Sequence, residues 1–191
     1  KVRQMDEARA FPHEAYNALA EAGYLGLFYP EEIGGMGGSY KDIAVFLETL
    51  GYYYTGIAQA VTTSTIYAGM HVAKFGSPEL KQEIIPKIIS GQVKLALGMS
   101  EPGTGSDVAG LKTSAVRDGD DYVVNGQKVW TSRALHSDLM VLLARTTPID
   151  EVARKTDGLS VFLVDMRDVL GRGLEIRPLR AMINHNTTEV F

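Results

Sequence analysis

The chain has 191 residues, of which 45% are apolar, a share large enough to form a hydrophobic core. Its formal charge of -4 argues against nucleic acid as a partner, and its longest apolar runs are too short to span a bilayer. The absence of cysteine excludes disulfides, thiolate metal sites and a cysteine nucleophile.

The first half of the chain predicts helices. Apolar residues recur at helical spacing, with Ser39 and Ser77 as candidate N-caps and Pro86 as a candidate kink inside the last helix. A glycine-rich loop, EEIGGMGG, occupies residues 31–38. The third predicted helix is apolar almost all round, so we expect it to be buried. The predicted helices cover residues 14–22, 40–51, 56–75 and 78–90.

After residue 92 the apolar period changes from 3.6 to 2, which predicts strands. The Asp118-Gly119 and Asn125-Gly126 pairs are strong hairpin signals, so three consecutive antiparallel strands are expected around them. The polar segment 147–158 is predicted to be a loop. The predicted strands cover residues 94–100, 113–117, 122–124, 128–132, 139–144, 159–164, 174–178 and 188–191.

These patterns predict an α+β fold with two domains. A helical bundle occupies residues 1–92, and an antiparallel β-barrel or β-sandwich occupies residues 93–191. Because the sequence ends inside an apparent strand, we expect it to be a piece of a longer protein.

Residues 100–107, SEPGTGSD, follow a predicted strand. Glycine and proline allow a sharp turn that brings backbone N–H groups close to a ligand. The segment is not a Rossmann fingerprint, since Val108 occupies the third glycine position, and no G-x-S-x-G elbow surrounds Ser106. From spacing alone it is more simply an ordinary surface loop. Glu101 and Asp107 are then expected to accept hydrogen bonds from loop amides rather than to act as an acid/base pair.

Trp130, the only tryptophan, lies in the predicted strand KVWTS with two hydroxyl residues after it. A planar ring beside hydrogen-bond donors suits a flat heteroaromatic cofactor. A core tryptophan is nevertheless the more usual interpretation of such a strand. No metal site is expected, because the histidines lack the spacing of metal ligands. The four histidines are His13, His71, His136 and His185.

Two segments together resemble the acyl-CoA dehydrogenase family. Residues 99–107, MSEPGTGSD, resemble the family's T-E-P-x-A-G-S-D signature, and residues 126–132, GQKVWTS, resemble its G-x-K-x-W-I-T/S segment. Several matching segments in family order are more specific than any one of them, so the chain is identified as a member. Further matches lie at residues 11–12, 23–27, 30–35, 75–81, 86 and 91.

The resemblance implies the helical amino-terminal and β middle domains of such an enzyme, with a carboxy-terminal helical domain absent. It also implies FAD as cofactor, an acyl-CoA substrate, electron-transfer flavoprotein as acceptor and a homodimer or homotetramer, in the bacterial cytoplasm rather than the mitochondrial matrix. Ser106 is also expected to meet the acyl-CoA, and no catalytic residue is expected before residue 191, because the family's glutamate base usually lies in the third domain. The implied flavin contacts are Leu97, Met99, Ser100, Gly105, Ser106, Trp130, Thr131 and Ser132.

Three residues depart from the family pattern. Leu97 replaces a frequent aromatic residue, Thr131 replaces isoleucine, and Arg133 replaces a small or amide residue. Arg133 and His136 are open to interpretation as part of an altered entrance, as a contact for an anionic group, or as a solvated surface pair. These departures leave the acyl chain undefined.

Two other functions remain open from the sequence. One is a flavin-dependent oxidase or monooxygenase on the same fold, and the other is a non-catalytic CoA-binding or assembly subunit. For the 191 residues alone we expect weak or absent FAD binding and no turnover.

Overall fold

The computed structural model describes residues 2–182 and 186–191. Within these residues the first half of the chain is helical and the second half forms β-sheets, which confirms the predicted α+β class. A segment of π-helix, Thr62–Ala68, connects α4 to α5. The helices of the first half are α1 (Val2–Ala8), α2 (His13–Glu21), α3 (Tyr40–Tyr53), α4 (Thr55–Val61), α5 (Gly69–Phe75) and α6 (Pro78–Ile89).

Two helices begin at the predicted N-caps. The Ser39 hydroxyl accepts the Asp42 N–H at 3.4 Å, and the Asp42 carboxylate accepts the Ser39 N–H at 2.8 Å, forming a capping box. The Ser77 hydroxyl accepts the Leu80 N–H at 3.2 Å, with Pro78 in the first turn of α6. Local sequence therefore sets where α3 and α6 start.

The predicted helix at residues 56–75 forms as one helical stretch but widens in its middle third. The Thr65 hydroxyl donates to the Val61 carbonyl at 2.8 Å within the π-helical segment. The Ser64 hydroxyl accepts the Leu95 N–H at 3.0 Å. The π-helical segment thereby contacts the first β-strand, and such segments are frequent at functional sites.

The β part consists of two open sheets. In the first sheet, β5 pairs with β1 in parallel and with β6 antiparallel, and β2 and β3 form a hairpin attached to the end of β5. The second sheet has the antiparallel order β4-β8-β7. A short helix, α7 (Met166–Val169), follows β6. The strands are β1 (Leu95–Gly98), β2 (Ser114–Asp118), β3 (Asp121–Asn125), β4 (Lys128–Ser132), β5 (Leu139–Arg145), β6 (Leu159–Asp165), β7 (Ile176–Pro178) and β8 (Thr187–Val190).

One of the two predicted hairpins is correct. The β2–β3 hairpin forms, with Asp118 opposite Asp121. The predicted β3–β4 hairpin is wrong, because β4 crosses to the second sheet and pairs with β8. Neither Asn125 nor Gly126 adopts the left-handed φ that a type I′ turn requires. Gly126 instead allows a close approach, since a Cβ there would lie 2.3 Å from the Thr113 hydroxyl. The first sheet is therefore mixed rather than antiparallel throughout.

The helical and β parts share a hydrophobic core. Val72 of α5 and Ile85 of α6 pack in one cluster with Leu95 of β1 and Val141 of β5. Ile85 and Leu95 have no exposed surface. This packing fixes β1 against the helices. In the part of the chain that the structure describes, no helix is long and apolar enough to cross a membrane.

Candidate functional site

The turn that follows β1 is organised around the buried carboxylate of Glu101. Glu101 is 7% exposed and accepts the backbone N–H groups of Lys112 and Thr113, at 2.7 and 2.9 Å. Its own N–H and C=O exchange hydrogen bonds with those of Thr104, at 3.0 and 3.1 Å. The expectation that Glu101 satisfies loop amides is confirmed, and its contacts fix the path of the turn.

Lys128 of β4 connects this turn to the second sheet. Its Nζ lies 2.9 Å from Glu101 Oε1 and donates to the Met99 carbonyl at 3.1 Å, and the residue is 2% exposed. Burial opposes ionisation of Glu101, but hydrogen bonds from Thr113, from the Lys112 amide and from Lys128 outweigh it and lower the pKa of Glu101 to about 2. Burial lowers the pKa of Lys128, although Glu101 favours its charged form. The sequence gives no signal for this ion pair, whose partners are 27 residues apart.

Trp130 lies at the surface beside the same turn. The Val129 N–H donates to the Ser100 carbonyl at 2.9 Å, which brings β4 alongside the end of β1. Trp130 is 67% exposed and has a left-handed φ of 60°, which is rare for a bulky residue. The pairing of β4 with β8 shifts register between Lys128 and Thr131, as in a β-bulge. The interpretation of Trp130 as a core residue is wrong, because its ring faces solvent.

The free edge of β1 presents backbone groups next to Trp130. The Leu95 N–H donates to the Ser64 hydroxyl rather than to β5. Because backbone groups alternate in direction along a strand, those of Leu97 and Met99 point to the same edge as those of Leu95. The side chains of Leu97 and Met99 are half-buried. The edge that turns away from β5 therefore carries the N–H and C=O groups of Leu97 and the N–H of Met99, while the Met99 carbonyl accepts the Lys128 ammonium.

Gly103 and Gly105 are not required to be glycine by the packing of the described chain. A Cβ placed on either residue would meet no heavy atom within 4 Å, and neither has a left-handed φ. Both glycines and Ser106 are exposed. A bare backbone at an open surface leaves room for a ligand to approach its N–H groups.

The two residues after Trp130 present different groups. Thr131 is 1% exposed, so it contributes its backbone rather than its side chain to the surface. Its carbonyl accepts the Thr188 hydroxyl of β8 at 2.7 Å. Ser132 is half-buried and ends the strand. The Trp130–Ser132 segment is thus held from the interior while its aromatic ring stays outside.

Arg133 and His136 lie at the junction between the helical and β parts. Arg133 is 2% exposed, its Nη2 donates to the Gly56 carbonyl of α4 at 2.7 Å, and its Cζ lies 5.5 Å from the centre of the Phe11 ring. The His136 ring is half-buried and 5.4 Å from the same phenyl ring. Burial, followed by the charge of Arg133, lowers the pKa of His136. The interpretation of the two residues as a solvated surface pair is wrong.

Arg145, at the end of β5, is a structural residue that the sequence analysis did not identify. It is 8% exposed, and its Nη2 donates to the carbonyls of Ala109 and Lys155 at 2.7 and 2.9 Å. The loop at residues 147–158 is thereby attached to the segment that follows the turn after β1. A lone arginine after an apolar run carries no sequence signal for such a role. Its Nη1 donates to the carbonyls of Thr147 and Asp157.

A cavity of about 470 Å³ lies between the two sheets, and Lys128 and Thr113 are part of its lining. Its lining includes Met140, Leu142, Phe162 and Val190, and none of the predicted flavin contacts. Among residues 2–182 and 186–191, no three His, Asp or Glu side chains form a group that could hold a metal. His185 lies outside the described residues. The chemistry of this part of the chain therefore centres on β1, the turn after it and β4.

Comparison with known proteins covers nearly the whole chain. Residues 1–92 match the acyl-CoA dehydrogenase N-terminal domain, and residues 96–191 match the acyl-CoA dehydrogenase middle domain. The chain is 36% identical over 178 residues to acyl-CoA dehydrogenase FadE26 of Mycobacterium tuberculosis, covering 93% of this chain and 43% of that protein. It is 32% identical over 165 residues to subunit CarC of the caffeyl-CoA reductase-Etf complex of Acetobacterium woodii, covering 86% of this chain and 42% of that protein.

The fold agrees with these sequence matches. The crystal structure of acyl-CoA dehydrogenase from Geobacillus kaustophilus superposes with a TM-score of 0.81 at 32% identity, covering 94% of this chain and 47% of that chain. The chain spans less than half the length of these three proteins. It belongs to the acyl-CoA dehydrogenase family.

Proposed function

We propose that the protein takes part in the flavin-dependent α,β-oxidation of an acyl-CoA thioester. The observation that carries this proposal is the exposed ring of Trp130, on a strand that joins the end of β1 at Ser100, where the open turn with Gly103 and Gly105 begins. An aromatic plane beside unobstructed backbone N–H groups suits a flat cofactor that carries polar atoms along one edge.

Members of this family are FAD-dependent flavoproteins, and the groups present here suit a flavin. The backbones of Leu97 and Met99 would face the polar edge of the flavin ring from β1. The ring of Trp130 would pack against the flavin, and Ser132 would donate a hydrogen bond toward N5. The remaining proposed cofactor contacts are Ser100, Gly105, Ser106 and the backbone of Thr131.

Bound FAD supplies the acceptor for the hydride that leaves the β-carbon. This chain's residues would position the flavin ring and stabilise its reduced form, because fixed N–H and O–H donors favour the negative charge that reduction places on the ring. Ser106, beside the bare backbone of Gly105, would contact both the cofactor and the acyl-CoA. Glu101 is not a candidate base, because its carboxylate is buried, paired with Lys128 and ionised with a low pKa. We assign no catalytic residue within these 191 positions.

The proposed partners follow from the family. The substrate is an acyl-CoA of undefined chain, and the proposed electron acceptor is an electron-transfer flavoprotein. CarC, which is 32% identical over 165 residues, is named as a subunit of an Etf complex. A homodimer or homotetramer in the bacterial cytoplasm is proposed for the intact protein.

The test is the flavin content and turnover of the intact natural protein. We expect the absorbance spectrum of bound FAD, and reduction of ferricenium when a panel of acyl-CoA thioesters is added. Rapid reoxidation of the reduced flavin by air would instead indicate an oxidase or monooxygenase. A colourless protein that takes up no FAD but retains CoA would indicate a non-catalytic subunit and would contradict the proposal.

A further inference from the structure

Two residues in the short segment around Trp130 have strained backbones. Trp130 has a φ of 60° and Arg133 a φ of 61°, in the left-handed region that disfavours residues with large side chains. Each such residue costs roughly 1–3 kcal/mol and persists only where the surrounding contacts impose it. The conformation of this segment therefore depends on what holds its two ends.

The first end is held within the β part by the ion pair of Lys128 with Glu101. At the second end, the Arg133 N–H donates to the Asn186 carbonyl at 2.8 Å, and the Arg133 carbonyl accepts the Ser137 hydroxyl at 3.0 Å. These backbone contacts also lie within the β part. The Arg133 side chain is different, because it reaches into the helical part.

The helical part contacts the Arg133 guanidinium through a backbone carbonyl and an aromatic ring. Its Nη2 donates to the Gly56 carbonyl at 2.7 Å, while its Cζ lies 5.5 Å from the centre of the Phe11 ring. A Cβ on Gly56 would lie 2.4 Å from the Cζ of Tyr54, so a side chain at this position would displace the Tyr54 ring. Arg133 is 2% exposed, which means that this contact is made away from solvent.

A buried guanidinium is a poor choice if stability alone is needed. Apolar residues of similar volume often give equal or greater stability at buried charged positions, because they need no desolvation of charge. Arginine does provide a planar group with fixed donor directions that can stack on a ring and donate to a carbonyl at once. An arginine at this position therefore fits a role in fixing the geometry of the segment better than a role in adding stability.

We propose that Arg133 is a positioning residue, which attaches the Trp130–Ser132 segment to α4 and sets the angle between the flavin-contacting strand and the helical part. Its buried guanidinium lies against Gly56 and Phe11, so it acts through the segment that precedes it. The effect of Arg133 on flavin binding rests on the proposed function. The attachment of the Trp130–Ser132 segment to the helical part is independent of that function, so the effect and the attachment can be tested separately.

The experiment compares Arg133→Met and Arg133→Lys with wild type in the intact protein. Arg117→Met is the matched control, because Arg117 also donates to a backbone carbonyl, that of Gly119 at 3.0 Å, but from an exposed hairpin. Three quantities are measured: the fluorescence polarisation of Trp130 in protein stripped of flavin, the FAD dissociation constant, and the thermal midpoint. Trp130 is the only tryptophan of these 191 residues, and subtracting the polarised emission of a Trp130→Phe variant isolates its signal in the intact protein.

We expect Arg133→Met to lower the polarisation of Trp130 and to weaken FAD binding on the order of ten-fold, with a thermal midpoint near that of wild type. Arg133→Lys should change both signals in the same direction, because a lysine ammonium lacks the planar donor group. Arg117→Met should change neither signal.

The proposal is overturned if both Arg133 variants keep the wild-type polarisation and FAD affinity. It is also overturned if neither variant folds, because Arg133 would then be needed for folding rather than for positioning. If wild type itself binds no FAD, the proposed function fails, and the polarisation of Trp130 in flavin-free protein still decides the role of Arg133.

Discussion

Two glycine-rich loops of this chain look alike in sequence but have glycine for different reasons. In residues 31–38, backbone packing requires it. A Cβ on Gly35 would lie 1.9 Å from the Tyr29 carbonyl oxygen, and Gly34 has a left-handed φ of 89°. In residues 100–107, neither packing nor backbone conformation of the described chain requires a glycine.

The difference separates a structural loop from a candidate ligand loop. The fold needs Gly35 in order to close the backbone onto itself. Gly103 and Gly105 leave an accessible backbone in the turn after β1, where a ligand can approach it closely. Glycine content alone does not distinguish the two loops, but the surroundings of each missing Cβ do.

The largest expected effect on stability comes from a substitution in the loop at residues 31–38. Gly35→Ala places its Cβ within 2.3 Å of the Tyr29 carbonyl carbon, so the backbone must move. We expect a loss of about 4 kcal/mol or more in the free energy of unfolding, measured by denaturant titration. Gly51→Ala inside α3 is the control, because its Cβ meets nothing within 4 Å. The control should be neutral or more stable by up to about 1 kcal/mol.

The next largest effect concerns the ion pair that fixes the second loop. Lys128→Met leaves the Glu101 carboxylate buried without its cation, which should cost about 3–5 kcal/mol of unfolding free energy. The double variant Glu101→Gln with Lys128→Met should recover part of that loss, because no charge then remains buried. Equal destabilisation of the single and double variants would show that the ion pair does not hold the turn.

Acid should weaken the same loop. Because the pKa of Glu101 in the folded state is lowered from 4.5 to about 2, its contribution to stability is complete above about pH 4.5 and is lost as pH falls toward 2. The loss is about 3 kcal/mol, and unfolding measured across this pH range should show it. Glu101→Gln should remove this part of the pH dependence. An unchanged acid profile would contradict the assigned ionisation.

The smallest expected effect on stability is at Gly105. Because its Cβ would meet nothing, Gly105→Ala should change the free energy of unfolding by no more than about 0.5 kcal/mol. It should nevertheless weaken FAD binding, since the new methyl group lies on the open face of the turn. Equilibrium dialysis of the intact protein checks this, with Gly51→Ala as control. A large loss of stability with normal FAD binding would show that the glycine at residue 105, like those in residues 31–38, has a structural role.

Local signals predicted the helical stretches from α2 to α6 and most strands, but not α1 or the short α7. The N-caps Ser39 and Ser77 and the Asp118-Gly119 turn depend on neighbouring residues, so the sequence pattern captured them. The Asn125-Gly126 prediction was wrong because β4 pairs with β8, at the other end of the β part, rather than with β3.

Contacts between distant segments account for what the sequence missed at the candidate site. The exposure of Trp130 depends on a bulge against β8, and the burial of Arg133 depends on α4. No local pattern reports either one. The family resemblance indicated which residues to examine, but only the structure shows that the turn after β1 and β4 lie side by side.

The most direct measurement is a titration of flavin-free intact protein with FAD, followed by the fluorescence of Trp130. If the flavin ring packs on Trp130, its emission should be quenched in proportion to FAD bound, and Trp130→Phe should bind FAD more weakly. Stoichiometric FAD binding by absorbance with unchanged Trp130 emission would place the cofactor elsewhere and contradict the account.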